Sequence, residues 1–499
     1  MLPFFAPIQT PSDNLLINPL LVVQAQQIMS VIGRKDNPVW PGWDAKKTPI
    51  LIYLPGKQDV LINHPKPPAG FSLYKGAIHS PLGAIWIKNG PTTLEFDGQN
   101  TSIDVNGVQT LVVADTLSTE RQWIQGLQGN TDNLMENGLY PNPYPSMAIF
   151  AHEAFHVYQF KRGPGKGGIE TDLTKYPSLS VENNVGFALE SDFLAEAMEA
   201  KSTAEIRKDG IRWLTVRQWR RSKIPTEATA YEDGTEFNEG LAKYIEYRLL
   251  ESLEGLKPVA EMWLVQGFKG LSDLRPQRQG YVRQMRGFMS GTMDVNNDLY
   301  GASPVRFRLY YSGMGVSTLL DRLGAKWKER VFQKSVSLTS LVEEALHATS
   351  EEKAAALAEI KASLRFRDLQ SEKEKLAQDG ERYVANALTA LDNAPGELVI
   401  DYSKTADKPQ FSFTPFGILR IDDNRAMFRL IPVRGEIGSL KFAEDGVRPI
   451  LHDQILKQIR IPLTSLPGLV NGKPNLPGVT LTGTIPGIRV EGRRAILAL

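Results

Sequence analysis

Cysteine is absent from all 499 residues. That excludes disulfides and any metal site built on thiolates. It also points towards an exported bacterial protein or a thermophile, with a cytoplasmic location as the alternative. Residues 1–16, MLPFFAPIQTPSDNLL, carry no basic segment leading into an apolar stretch, so export requires a leader already removed. No apolar run approaches the ~18 residues that a membrane span needs. A net charge of +1 leaves no field of one sign to recruit nucleic acid. Internal repeats and low-complexity linkers are missing too, and nothing in the chain speaks to its oligomeric state. Histidine is scarce, at six residues.

What is present reads as an α+β protein in three regions. Residues 1–117 open with a short helix, Leu20 to Ile32, and a loop around Trp40 and Trp43. Strand-like runs follow at 50–54, 60–62, 84–87, 93–96 and 108–113, each bracketed by Pro, Gly or Asn. Residues 118–395 are mainly helical. A helix over Met147 to Phe160 should start after Pro145, with Ser146 as its cap, and stop at Gly163-Pro164-Gly165. Further helices are expected from Phe187 to Arg207, broken at Asp209-Gly210, from Ile211 to Lys223, and from Thr226 to Leu253. Residues 268–306 read as a long irregular insertion, and 351–393 as an exposed helical pair. Residues 396–499 form a β domain, with a hairpin turning at Asp422-Asp423-Asn424.

Two of the six histidines stand in one pentad, His152-Glu153-Ala154-Phe155-His156, inside the apolar helical run. Residues four apart on a helix lie on one face, so both imidazoles can point at one spot. That is half of a tetrahedral zinc site, and the Glu beside the first His can serve as a general base. The alternative is a pair of core histidines satisfied by backbone carbonyls around a salt-bridged Glu. An apolar helix that buries two imidazoles and a carboxylate side by side argues for zinc. A third protein ligand is required. Glu239, in Asn238-Glu239-Gly240-Leu241-Ala242, is the first candidate, because Gly240 and Ala242 leave room for close helix packing. Glu190 is the rival, in a stretch whose carboxylates could equally be solvated.

With these residues in view the chain resembles the gluzincin zinc peptidases, in which His-Glu-x-x-His is completed by a Glu on a later helix. Asn238 to Ala242 followed by Tyr244 is similar to the Asn-Glu-Gly-Phe-Ala segment of the alanyl-aminopeptidase family. The run His156 to Arg162 is similar to the His-x-Trp-Asn-x-Lys-Arg of the glycyl aminopeptidases. The 82 residues between His156 and Glu239 depart from the much shorter gap in both. The resemblance implies a thermolysin-like helical core, a peptide or protein substrate, zinc held by His152, His156 and Glu239, and Glu153 as base and proton shuttle. Tyr310-Tyr311-Ser312-Gly313 is similar to the Tyr-x-x-Gly of the alanyl-aminopeptidase family. This makes Tyr310, then Tyr311, the candidate donor to the reaction's oxyanion. A zinc hydrolase of another bond, or a zinc-binding scaffold without turnover, are the competing functions.

Other signals carry less. Gly163 to Gly168 lacks the Ser or Thr of a phosphate loop. Asp294, Asn296 and Asp298 lack the Gly and distal Glu of a calcium loop. Met135-Glu136-Asn137 lacks the Gly of the alanyl-aminopeptidase amine-binding motif. His64, His79, His347 and His452 have no metal-like spacing.

Overall fold

Asn142 and Pro143 set the helix that carries the paired histidines. The Asn142 side chain accepts a hydrogen bond from the Tyr144 amide, Pro143 supplies a preset φ at the first turn, and Gly163 ends the helix with its N–H on the Gln159 carbonyl. The helix therefore spans Pro143–Arg162, and Asn142 rather than Ser146 is its cap, one turn earlier than the sequence suggested. These features belong to a computed structural model that describes residues 14–76, 78, 80–94, 100–115, 142–293, 303–413, 417–470, 473–485 and 487–499.

The described helices, in chain order, are α1 (Pro19–Ile32), α2 (Pro143–Arg162), α3 (Val181–Glu199), α4 (Thr203–Arg221), α5 (Thr226–Thr235) and α6 (Leu241–Leu253). They continue with α7 (Arg275–Ser290), α8 (Ser303–Arg322), α9 (Leu338–Leu346), α10 (Ser350–Ala362) and α11 (Leu364–Asp392). A π-helical segment, Glu236–Gly240, joins α5 to α6. The protein is α+β, with an N-terminal sheet, a helical middle and a C-terminal β domain. Its chain divides into two compact units. One comprises Met1–Lys166, Asn238–Val282 and Lys326–Val336; the other comprises Gly167–Phe237, Arg283–Ala325 and Ser337–Leu499.

The first unit contains six strands: β1 (Ile50–Leu54), β2 (Gln58–Ile62), β3 (Ser72–Leu73), β4 (Ile85–Asn89), β5 (Asn100–Val105) and β6 (Val108–Ala114). They form one sheet in the order β3-β4-β2-β1-β6-β5, antiparallel except for the parallel pair β1 and β6. All five residues of β1 are buried, as its uninterrupted Ile-Leu-Ile-Tyr-Leu run requires. The chain at Thr93 and Leu94 forms no strand, and residues 95–99 lie outside the described set. Helix α2 packs on β5 and β6 on one side and on α1 and α6 on others. An aromatic nest fixes that packing. Trp40 lies 4.9 Å from Phe155 of α2, 6.2 Å from Tyr244 of α6 and 5.3 Å from Trp327, ring centre to ring centre. Trp40 thus touches both helices that carry the candidate metal ligands, and it is fully buried.

In the second unit α3 and α4 form the main helical pair, with α8, α10 and α11 packed on them. Asp209-Gly210 does not break a helix. α4 runs through it, because Ser202 and Glu205 form a capping box that starts the helix earlier. Gly210 serves packing instead: a Cβ there would sit 3.0 Å from a Leu346 methyl. Residues 268–306 are not an irregular insertion throughout. Tyr281, Val282, Met285, Phe288 and Met289 recur at helical spacing and are buried along α7, a pattern that Gly and Arg obscure in the sequence.

The C-terminal β domain contains a seven-stranded sheet and a four-stranded one. Its hairpin at Asp422-Asp423-Asn424 joins Ile418–Arg420 to Arg425–Phe428 as the turn residues predict. The C-terminal run Ile488 to Leu499 is itself a hairpin, Ile488–Glu491 with Arg494–Ala498.

Candidate metal centre

His152 and His156 sit one turn apart on α2, with ring centres 4.8 Å apart. Glu239 enters from the π segment, and its Oε2 lies 3.4 Å from His152 Nε2 and 3.6 Å from His156 Nε2. Its other oxygen accepts from Asn238 Nδ2 at 3.2 Å. One ligand atom from each of the three lies within 4.8 Å of the other two, and all three residues are buried. All belong to the first unit.

The back of each imidazole is held as well. His152 Nδ1 lies 2.6 Å from Glu246 Oε1, and His156 Nδ1 lies 2.9 Å from Gln159 Oε1. An ionised carboxylate can only accept, so His152 Nδ1 must donate. Glu246 is itself anchored, accepting from Lys243 Nζ and Tyr281 OH, both at 2.8 Å. With both Nδ1 atoms donating, the Nε2 lone pairs face the Glu239 carboxylate. Two acceptors facing one another at 3.4–3.6 Å need a positive charge between them, and either a proton on an imidazole or a metal ion supplies it. These spacings are long for a hydrogen bond, yet they match the roughly 3.3 Å that separates two ligands of a tetrahedral zinc bonded at ~2.0–2.1 Å. The donor set therefore fits zinc in number, chemistry and spacing.

Electrostatics support the same arrangement. Burial opposes charge on His152, but Glu239 and Glu246 on its two sides outweigh it and raise its pKa to about 10, so a proton competes for the place of a metal. Burial likewise opposes ionisation of Glu246 and Glu239. Lys243 and His152 nevertheless hold Glu246 down to about 2, and the two imidazoles hold Glu239 well below the usual carboxylate range. Glu153 differs. Burial pushes its carboxyl up against the pull of His152 and His156, and it accepts no hydrogen bond among the described residues.

Glu190 is otherwise engaged. It lies on α3 of the second unit, fully buried rather than solvated, with Oε1 2.6 Å from Arg220 Nε and Oε2 2.9 Å from Arg217 Nε. Tyr310 and Tyr311 are on α8, also of the second unit. The Tyr310 ring packs 5.6 Å from Phe307, and the Tyr311 hydroxyl donates to Gln284 at 2.8 Å. Lys166 of the glycine-rich loop donates to the carbonyls of Val331, Gln333 and Val336, so that loop is a bracket rather than a phosphate cradle. His64 bonds the Val105 carbonyl, His347 caps α9 with φ 47°, and His452 bonds Tyr402. His79, Met135-Glu136-Asn137 and the Asp294, Asn296, Asp298 set lie outside the described residues.

Glu246, Gln159, Asn238 and Tyr281 are the contributors that residue patterns did not single out. Two had a signal: Gln159 is three residues beyond His156, and Glu246 is two helical turns beyond Glu239. Comparison of the chain with known protein families, with curated proteins and with solved structures finds no match.

Proposed function

We propose that the protein is a zinc-dependent peptidase of the gluzincin kind, with a thermolysin-like helical core. In this reading His152, His156 and Glu239 hold the ion and Glu153 is the general base. The observation that carries the reading is the convergence of three lone-pair donors, two of them locked from behind, beside a buried carboxylate with no hydrogen bond among the described residues. Zinc bound there supplies Lewis acidity and an activated water near neutral pH. The chain's own residues do the rest. Glu246 and Gln159 fix the imidazole tautomers and ring orientations through the two Nδ1 atoms. Asn238 orients the Glu239 carboxylate so that Oε2 faces the histidines. A Glu153 carboxylate oxygen takes the proton of the attacking water and passes it to the leaving nitrogen, a task for which its raised pKa suits it.

Metal analysis and a peptide-library assay on wild type and Glu153→Gln test this directly. The substitution removes the proton acceptor and no ligand. Zinc should stay at one per chain while turnover falls by roughly 10²–10⁴-fold. Near-normal turnover in the variant would overturn the mechanism. Zinc with hydrolysis of esters but of no peptide would identify a hydrolase of another bond; zinc with no hydrolysis would identify a scaffold.

A further inference from the structure

On α2 five residues fall within one arc of about 100° at 100° per residue: Ile149, His152, Glu153, His156 and Phe160. The rest of the helix from Met147 to Val157 is buried, and its Ala148, Phe150, Ala151, Ala154 and Phe155 are fully so. Along this arc His152, Glu153 and His156 are buried too, but the two apolar residues that flank them are not: Ile149 is half-buried and Phe160 is 47% exposed. A single exposed phenylalanine is unremarkable on a protein surface. Its position is what matters. The Phe160 ring stacks on the His156 imidazole with centres 5.5 Å apart and planes 11° apart. One face of the phenyl ring is thus taken up by a candidate ligand, and the residue still presents apolar surface to solvent. Ile149, one turn before His152 and Glu153, offers apolar surface on the other side of the pair. From Ile149 to Phe160 the helix rises about 16 Å, the length of roughly five extended residues.

We infer that Phe160 is a specificity-determining residue. It packs against a large apolar side chain of the peptide next to the scissile bond, with Ile149 contributing at the other end of the stripe. This rests on the peptidase reading and adds to it the class of substrate: peptides with Leu, Ile, Met or an aromatic residue flanking the cleaved bond. An apolar contact of this size discriminates by roughly 10–200-fold.

The test has two readouts. In the first, wild type, Phe160→Ala and Phe160→Leu are compared on a peptide library with zinc content measured in parallel. Phe160→Ala should lower kcat/KM for bonds flanked by large apolar residues at least roughly tenfold relative to bonds flanked by Ala or Ser. Phe160→Leu should retain most of the preference, and all three proteins should hold one zinc. In the second, Kd is measured in the Glu153→Gln background for a peptide carrying the preferred apolar residue. Adding Phe160→Ala should weaken it by a similar factor with no turnover involved. Unchanged ratios and unchanged Kd overturn the role of Phe160 while leaving the peptidase intact. A wild-type protein that holds zinc but cleaves and binds no peptide overturns the peptidase reading, and this inference with it.

Discussion

Two buried polar clusters, one in each unit, use the same carboxylate chemistry to opposite ends. In the second unit Glu190, Glu232 and Glu236 are enclosed by Arg217, Arg220 and Arg221. Arg217 grips Glu236 through both terminal nitrogens, at 2.7 and 2.9 Å, and Arg220 grips Glu232 in the same manner. A guanidinium is all donors and a carboxylate all acceptors, so donors and acceptors meet here directly and the charges pair without an ion between them. In the first unit Glu239 faces two imidazoles whose donor nitrogens are turned away towards Glu246 and Gln159. At the centre of that network a proton or a metal ion has to join the carboxylate to the imidazoles. Burial of a carboxylate therefore says little about function; whether its partners bring hydrogens or lone pairs says a great deal.

The sharpest way to break the comparison is to exchange the consequences of losing one Glu from each cluster. Glu239→Ala removes a candidate ligand and a buried negative charge facing two imidazoles. Zinc affinity should fall by orders of magnitude while the metal-free protein keeps most of its stability. Glu190→Ala leaves Arg217 and Arg220 short of a partner in a fully buried setting. It should destabilise the protein by about 3–5 kcal/mol and leave zinc stoichiometric. Metal titration and urea unfolding of both variants decide it. Zinc loss in Glu190→Ala, or tight zinc in Glu239→Ala, reverses the assignment of ligand and structural carboxylate.

The candidate ligands were more legible in the sequence than the residues that support them. Paired histidines at helical spacing are legible because helix geometry alone makes them converge. Glu239 is legible through its Asn-Glu-Gly-Leu-Ala setting. Glu246 is legible only in part. Its place two helical turns beyond Glu239 puts it on the same side of the helix. In Ile245-Glu246-Tyr247-Arg248, however, it resembles any carboxylate on an amphipathic helix, and the fold is what shows its Oε1 beneath His152. Glu190 misleads in the same way. Its neighbours suggest a solvated face, whereas Arg217 and Arg220 on α4 bury it completely. The signal was on the other helix, where two arginines three apart share a side with Trp213, itself fully buried with the Arg217 guanidinium 4.7 Å over its ring. In the fold, α1, β1 and the Asp422-Asp423-Asn424 hairpin follow local pattern. Asp209-Gly210 and α7 do not, because tertiary packing overrides glycine there.

Acid sharpens the comparison from the side of the closed cluster. Burial opposes ionisation of Glu232, but Arg220 and Arg221 outweigh it and hold its pKa down to about 2, against an ordinary value of 4.5. A carboxyl with a depressed folded pKa contributes stability that is fully present above about pH 4.5 and is lost as the pH falls towards 2. The loss amounts to at most about 3 kcal/mol. Glu232→Gln should therefore be less stable than wild type at neutral pH yet show a flatter fall in unfolding free energy across that window, followed by denaturant unfolding at each pH. Parallel curves for the two proteins would mean that Glu232 is not the group that titrates.

The smallest effects belong to the residues behind the imidazoles, and they rank by charge. Glu246 is an anion hydrogen-bonded to His152 Nδ1 and anchored by Lys243 and Tyr281, so it both orients the ring and raises its basicity. Gln159 is neutral and does only the first of these for His156. Glu246→Ala should weaken zinc binding by roughly 10–100-fold, and Gln159→Ala by less. Tyr281→Phe removes one anchor of Glu246 without touching an imidazole, so its effect should be smaller than that of Glu246→Ala. Competition with a zinc chelator of known affinity ranks the three variants at one pH. If Gln159→Ala costs more affinity than Glu246→Ala, charge is not what distinguishes the two supports, and ring orientation alone governs how the histidines hold the ion.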